Sequence, residues 1–162
     1  MSENYRFKQA SDQEVSLYCL VGEAVCAVQH VEEALSHSIV IKKIRPELKK
    51  EADNLLEVHR SYTLGRAITI ARQEGLYTES LQKELDEFLS KRNWLIHKSV
   101  AQSRREWDLN VSRDKLMARI KDISIQAHSL QLLLVEDLMQ FVEENGVDMS
   151  RVKAEIDKYY SE

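Results

Sequence analysis

One proline, Pro46, and four glycines are all that interrupt a chain of 162 residues. These two residue types break regular structure most strongly, so a chain with so few of them is committed to long, uninterrupted elements. Leu, Ala, Glu, Lys, Gln and Arg dominate the remainder, and all are good helix formers. No strand alternation, internal repeat or low-complexity segment stands out. The chain therefore reads as all-α. At this length it reads as a single domain, 1–162, able to bury a core without disulfide or metal staples.

Apolar spacing and capping residues place the helices. Residues 1–10 are polar and read as frayed. Ser11 and Glu14 have capping-box spacing and open a long helix to about residue 44, striped by Val15, Tyr18, Val21, Val25, Val28, Val31, Leu35 and Ile39. Pro46 ends or bends it, or starts a second helix that runs to about residue 60 with Leu48, Ala52, Leu55 and Leu56. Thr63 caps a short helix over 64–74, closed by Gly75. Thr78 or Ser80 opens the next, with Leu81, Leu85, Phe88, Leu89, Trp94, Leu95 and Ile96 as its apolar positions. Residues 101–110 read as a polar loop containing Trp107.

A last long helix starts at Ser112 or Asp114 and stops near residue 145, before Gly146. Its stripe is Leu116, Ile120, Ile123, Ala127, Leu130, Leu134, Leu138 and Phe141, and a short helix over 150–160 follows. The pattern predicts an up-and-down bundle of four to five helices with short extra helices, in which two long antiparallel helices flank shorter ones. From Leu130 to Val135 the last long helix is apolar nearly all round. One bundle neighbour cannot cover that surface, and a homodimer is the simplest cover.

The net charge of −4 argues against a protein that coats nucleic acid indiscriminately. Positive charge is nevertheless concentrated between Phe88 and Arg105, where Lys91, Arg92, Lys98, Arg104 and Arg105 occur without one Asp or Glu. Such a segment attracts a polyanion, although basic residues also complement a helix C-terminus. A second cluster, Lys42, Lys43, Arg45, Lys49 and Lys50, reads as a solvated helix junction. Cys19 and Cys26 stand two helical turns apart, about 10 Å, too far for a bridge, and both read as core. With no signal peptide and no long apolar run, a soluble cytoplasmic chain away from membranes is expected. His30, His37, His59 and His128 are scattered. Glu33 and His37 are one residue too widely spaced for a di-iron Glu-x-x-His pair, no zinc spacing or glycine-rich phosphate loop occurs, and no metal or cofactor is expected.

Chemistry concentrates in one stretch, residues 91–98, K-R-N-W-L-I-H-K. Asn93 and His97 stand at i and i+4 and share a helix face, with Arg92 on its flank. A guanidinium, a carboxamide and an imidazole together suit a site that grips a phosphodiester and moves a proton. The plain alternatives are a helix-terminal His97 stabilised by the dipole, an Arg92 paired to Asp86 or Glu87, an Asn93 bonded to solvent, and a solvent-facing Lys98. Trp94 and Leu95 read as core.

Arg92-Asn93 followed by His97, in a small all-helical chain, resembles the HEPN superfamily, whose signature is an Arg, often an Asn, four to six residues and then a His. The resemblance covers most of the chain as architecture and only Arg92, Asn93 and His97 as motif. It implies a metal-independent endoribonuclease with two motifs facing each other across a homodimer. His97 would be general base or acid at the RNA 2′-hydroxyl or the leaving 5′-oxygen. Arg92 would stabilise charge on the pentacoordinate phosphorus, and Asn93 would orient His97 or bond a phosphate oxygen. Lys91, Lys98, Arg104 and Arg105 would add contacts to RNA. The family includes toxins and phage-defence effectors that partner an antitoxin or a nucleotidyltransferase. In one toxin branch the His is followed by one residue and then a modified Tyr; Lys98 and Ser99 stand here, so that control is not implied. The competing readings are a HEPN-like module that binds RNA or a nucleotide without cutting it, and a purely structural helical adaptor.

Overall fold

A computed structural model describes residues 9–45, 47–106 and 110–161, with side chains described outside 103–112 and 159–160. Pro46 and Trp107 lie outside the described residues. Among those described there are six helices and no strand: α1 (Asp12–Lys43), α2 (Lys49–Arg60), α3 (Leu64–Gln73), α4 (Glu79–Glu106), α5 (Asn110–Glu144) and α6 (Ser150–Ser161). The chain is an all-α bundle.

The stop and start signals act as their chemistry requires. Ser11 and Glu14 form a complete capping box at α1, with the Glu14 carboxylate accepting from the Ser11 amide at 2.8 Å. The hydroxyls of Thr63 and Thr78 accept from the amides of Arg66 and Leu81 to open α3 and α4. Gly75 and Gly146 take φ of 60° and 86°, a conformation open to glycine, where α3 and α5 end.

One expectation fails between α4 and α5. Residues 101–106 are not loop but the last turns of α4, and α5 begins earlier than expected, at Asn110. Polarity alone does not end a helix.

Side-chain contacts fix the helix directions. Arg113 donates to Gln13 at 2.9 Å near the starts of α5 and α1, while Lys42 meets Asp137 near their ends. The two longest helices therefore run parallel, not antiparallel as expected. In a five-helix up-and-down chain the first and fifth point the same way. α4 runs against both: Lys91 and Trp94 meet Gln126 and Arg119 of α5, and Tyr77 and Arg92 meet Ser38 and Glu32 of α1. At 12 and 10 residues, α2 and α3 are too short to follow α1 along its length. They cover only its C-terminal half, where Arg60 reaches Glu33 and Lys43 reaches Glu74.

The core joins Leu35 and Ile39 of α1, Leu64 and Ile68 of α3, Leu85 and Leu95 of α4, and Ile120, Ile123 and Leu134 of α5. Each such side chain contributes about 1.5–3 kcal/mol through burial. In the first turns of α1 the buried residue is Leu17, while Val15 and Tyr18 of the expected stripe are exposed. Cys19 and Cys26 are also exposed, so neither is core. On α5, Leu130 and Leu134 point inward, but Leu132 and Leu133 remain 47% and 37% exposed. Surplus apolar surface is therefore present on that helix.

The junction basic cluster is not simply solvated. The Lys42 side chain is only 6% exposed. Its ammonium bonds to Asp137 and to the Leu76 carbonyl, and lies 4.5 Å from the ring centre of Tyr77. The phenol of Tyr77 in turn donates to Ser38 Oγ at 2.8 Å. No helix among the described residues is long and apolar enough to cross a membrane.

Candidate functional site

The segment carrying Arg92, Asn93 and His97 lies well inside α4. Glu106 at the helix end lies nine positions beyond His97, about two and a half turns. A helix dipole acts within its terminal turn, so it explains neither His97 nor the basic residues 91–98. Helix-terminal chemistry therefore does not account for His97 or residues 91–98, whereas Arg104 and Arg105 do lie in the last turn of α4.

Each predicted residue has a definite place. Arg92 turns toward α1, where Nε and Nη2 each lie 3.2 Å from Glu32 Oε1. Its Nη1 is 3.4 Å from Asn93 Oδ1, at the long end of hydrogen-bonding range. Neither Asp86 nor Glu87 takes it: Asp86 is paired with Arg72, and Glu87 lies 4.0 Å from Lys83. Asn93 and His97 are both exposed, about 40° apart around the helix axis. Arg92 and Asn93 are thus in contact, and His97 stands one turn beyond Asn93 on the open face.

The neighbouring bases diverge. Lys91 leaves α4 on the opposite side and donates to Gln126 of α5 at 2.6 Å. Lys98 is exposed, two turns along the same side of the helix as Lys91. Arg104 and Arg105 belong to the last turns of α4, and their side chains lie outside the described residues.

Between these polar positions the helix is anchored firmly. Trp94 and Leu95 are buried, Trp94 Nε1 donates to Gln102 at 3.0 Å, and the Arg119 guanidinium lies 3.7 Å above the Trp94 ring. That stacking is a cation–π contact. It fixes the helix at the centre of the motif and leaves Asn93 and His97 to solvent. Among the described residues no group of three or more His, Cys, Asp or Glu side chains could hold a metal ion.

Two features escaped the sequence reading. Glu32, the partner of Arg92, carries no local signal because it lies 60 residues earlier. It also borders a cleft of about 260 Å³ shared with Glu33, Arg60, Tyr62, Leu64 and Ala67. Arg119, which caps Trp94, lies on a different helix and belongs to no motif. Models of protein families, curated proteins and solved structures give no match to the chain.

Proposed function

We propose that this protein is a metal-independent endoribonuclease of HEPN type that acts as a homodimer with a composite site. The observation that carries the reading is the disposition on α4: Asn93 and His97 exposed away from any helix end, beside an Arg92 oriented by Glu32. In this mechanism the 2′-hydroxyl of RNA attacks the adjacent phosphorus as an imidazole takes its proton. The bond to the 5′-oxygen breaks as a proton is returned to it, leaving 2′,3′-cyclic phosphate and 5′-hydroxyl ends. Arg92 stabilises the negative charge that accumulates on the phosphoryl oxygens, and Asn93 holds a phosphate oxygen or the imidazole. The substrate supplies its own nucleophile. A partner copy brings a second His97, so that one imidazole accepts and the other donates. The apolar Leu132 and Leu133 on α5 give one surface for association. Overexpression is expected to arrest growth, as a toxin or phage-defence effector would.

The deciding assay is RNA cleavage in excess EDTA with identification of the product ends. Cyclic phosphate and 5′-hydroxyl ends are expected, with Arg92→Ala and His97→Ala each losing most activity and the double variant little worse than either. Cleavage only with added divalent metal, or 5′-phosphate ends, refutes the mechanism. Light scattering should report a dimer; a stable monomer removes the composite site. A second reading, a module that binds RNA without cutting it, draws on the same ion pair, because Glu32 already neutralises Arg92. Retained RNA binding without any cleavage would select it.

A further inference from the structure

The cleft beside Glu32 has a chemistry of its own. Its walls come from α1, from the end of α2 and the turn that follows it, and from α3. Arg60 Nη2 and Glu33 Oε1 lie 2.6 Å apart on its rim, placing a planar double donor next to a double acceptor. Tyr62 adds an aromatic wall with the Arg66 guanidinium 3.8 Å from its ring centre, and Leu64 and Ala67 add apolar surface. At about 260 Å³ the cleft lies below the ~300 Å³ at which pockets for larger ligands begin, a size suited to one base.

We propose that this cleft is a guanine-binding subsite, in which Glu33 and Arg60 read the base next to the phosphate held by Arg92. Guanine presents O6, N1–H and N2–H₂ in a row. A carboxylate accepts from N1–H and N2–H together, and a guanidinium beside it donates to O6. No other common base carries that order: adenine and cytosine place an acceptor where guanine has N1–H, and uracil lacks the second donor. Aromatic walls and arginine planes are the usual supports for an unstacked RNA base.

The surroundings keep both readers in place. Arg60 also bonds Glu57 at 2.8 Å, so it stays held when it turns from Glu33 to a ligand. Hydrogen bonds from Arg60 and then His37 keep the Glu33 carboxyl below its ordinary range, so it remains an acceptor at neutral pH. Along α4, Leu89, which faces Gly65 of α3 beside the cleft residue Leu64, precedes Arg92, and His97 follows it. Glu32 joins the two regions, since it borders the cleft and binds Arg92. The base would therefore sit on one side of the phosphate and the proton carrier on the other.

The proposal rests on the reading of α4 as an RNA-contacting helix, and its test separates the two. The intact protein is titrated with GMP, AMP, CMP and UMP, followed by calorimetry, and with uridine oligoribonucleotides that contain or lack one guanosine. GMP should bind about tenfold or more tighter than the other three, the scale of one good bidentate base contact. The guanosine-containing strand should outcompete its all-uridine counterpart. Glu33→Gln, which replaces one acceptor oxygen with a donor, should abolish the preference at unchanged melting temperature, and Arg60→Ala should weaken it. Equal binding of the four nucleotides, or a preference that survives Glu33→Gln, overturns the subsite. Guanine preference without cleavage keeps the subsite and refutes the ribonuclease. Equal cleavage with and without guanosine does the reverse.

Discussion

Arg92 and Glu32 lie 60 residues apart in the chain and meet between α4 and α1, where Nε and Nη2 of the arginine approach one carboxylate oxygen at 3.2 Å. The pair aims the guanidinium and lowers its effective charge. Glu32→Gln should therefore tighten RNA binding, because a competing anion is gone, and slow cleavage, because the arginine loses its orientation. Stability should fall by no more than about 1 kcal/mol, as for other partly exposed pairs. Binding and single-turnover cleavage assays on one preparation check both directions. A variant that cleaves faster would show that Glu32 restrains the site and does not arrange it.

The buried ammonium of Lys42 makes a harsher prediction. Asp137→Ala leaves that charge among Tyr77, Phe141 and the Leu76 carbonyl without its carboxylate. The loss should be about 3 kcal/mol, read from urea denaturation midpoints at constant slope. Replacing both partners, Lys42→Met with Asp137→Leu, should recover much of it.

His59 gives the fold a pH dependence. It is 3% exposed and its Nδ1 has no hydrogen-bond partner. Burial, followed by the nearby positive charge of Lys43, holds its pKa below the ordinary imidazole value, with Glu74 pulling the other way and Arg66 adding to the depression. The unfolded chain then binds the proton more readily than the folded one. Stability is complete above about pH 6.5 and declines as the pH falls below it toward the folded value. His59→Gln should flatten this part of the stability profile, measured by thermal melts between pH 5 and 8.

The cysteines offer a direct check of the α1 surface. Cys19 and Cys26 are both exposed, so a thiol reagent should titrate two groups per chain without denaturant. Slow labelling that urea accelerates would show that these positions are covered in solution.

The fold was legible wherever local chemistry decides it. Ser11 with Glu14, Thr63, Gly75 and Gly146 mark helix ends through bonds within a few residues, and most of the α4 and α5 stripes falls on the observed core, although Ile96 is exposed. The start of α1 was less legible because Leu17, Tyr18, Leu20 and Val21 are apolar on several sides. Periodicity there cannot choose between Leu17 and Tyr18; the packing of α5 does. Helix direction and ion pairing lie beyond any local window. Lys42 reads as a surface base until Asp137 lies beside it, and Arg92 until Glu32 does. The helix face shared by Asn93 and His97 could be read from spacing, but the cleft could not, since its walls come from separate helices.

The parallel run of α1 and α5 governs how the molecule must be made. Gln13 waits for Arg113, 100 residues later, before the starts of the two helices can close on each other. During synthesis the inward face of α1 is therefore without its main cover until α5 has left the ribosome. A chain cut short before α5 would present Val28, Val31, Leu35 and Ile39 to water and aggregate or be degraded. The chain acquires its buried core, and with it the fixed placement of Arg92, only once α5 has emerged.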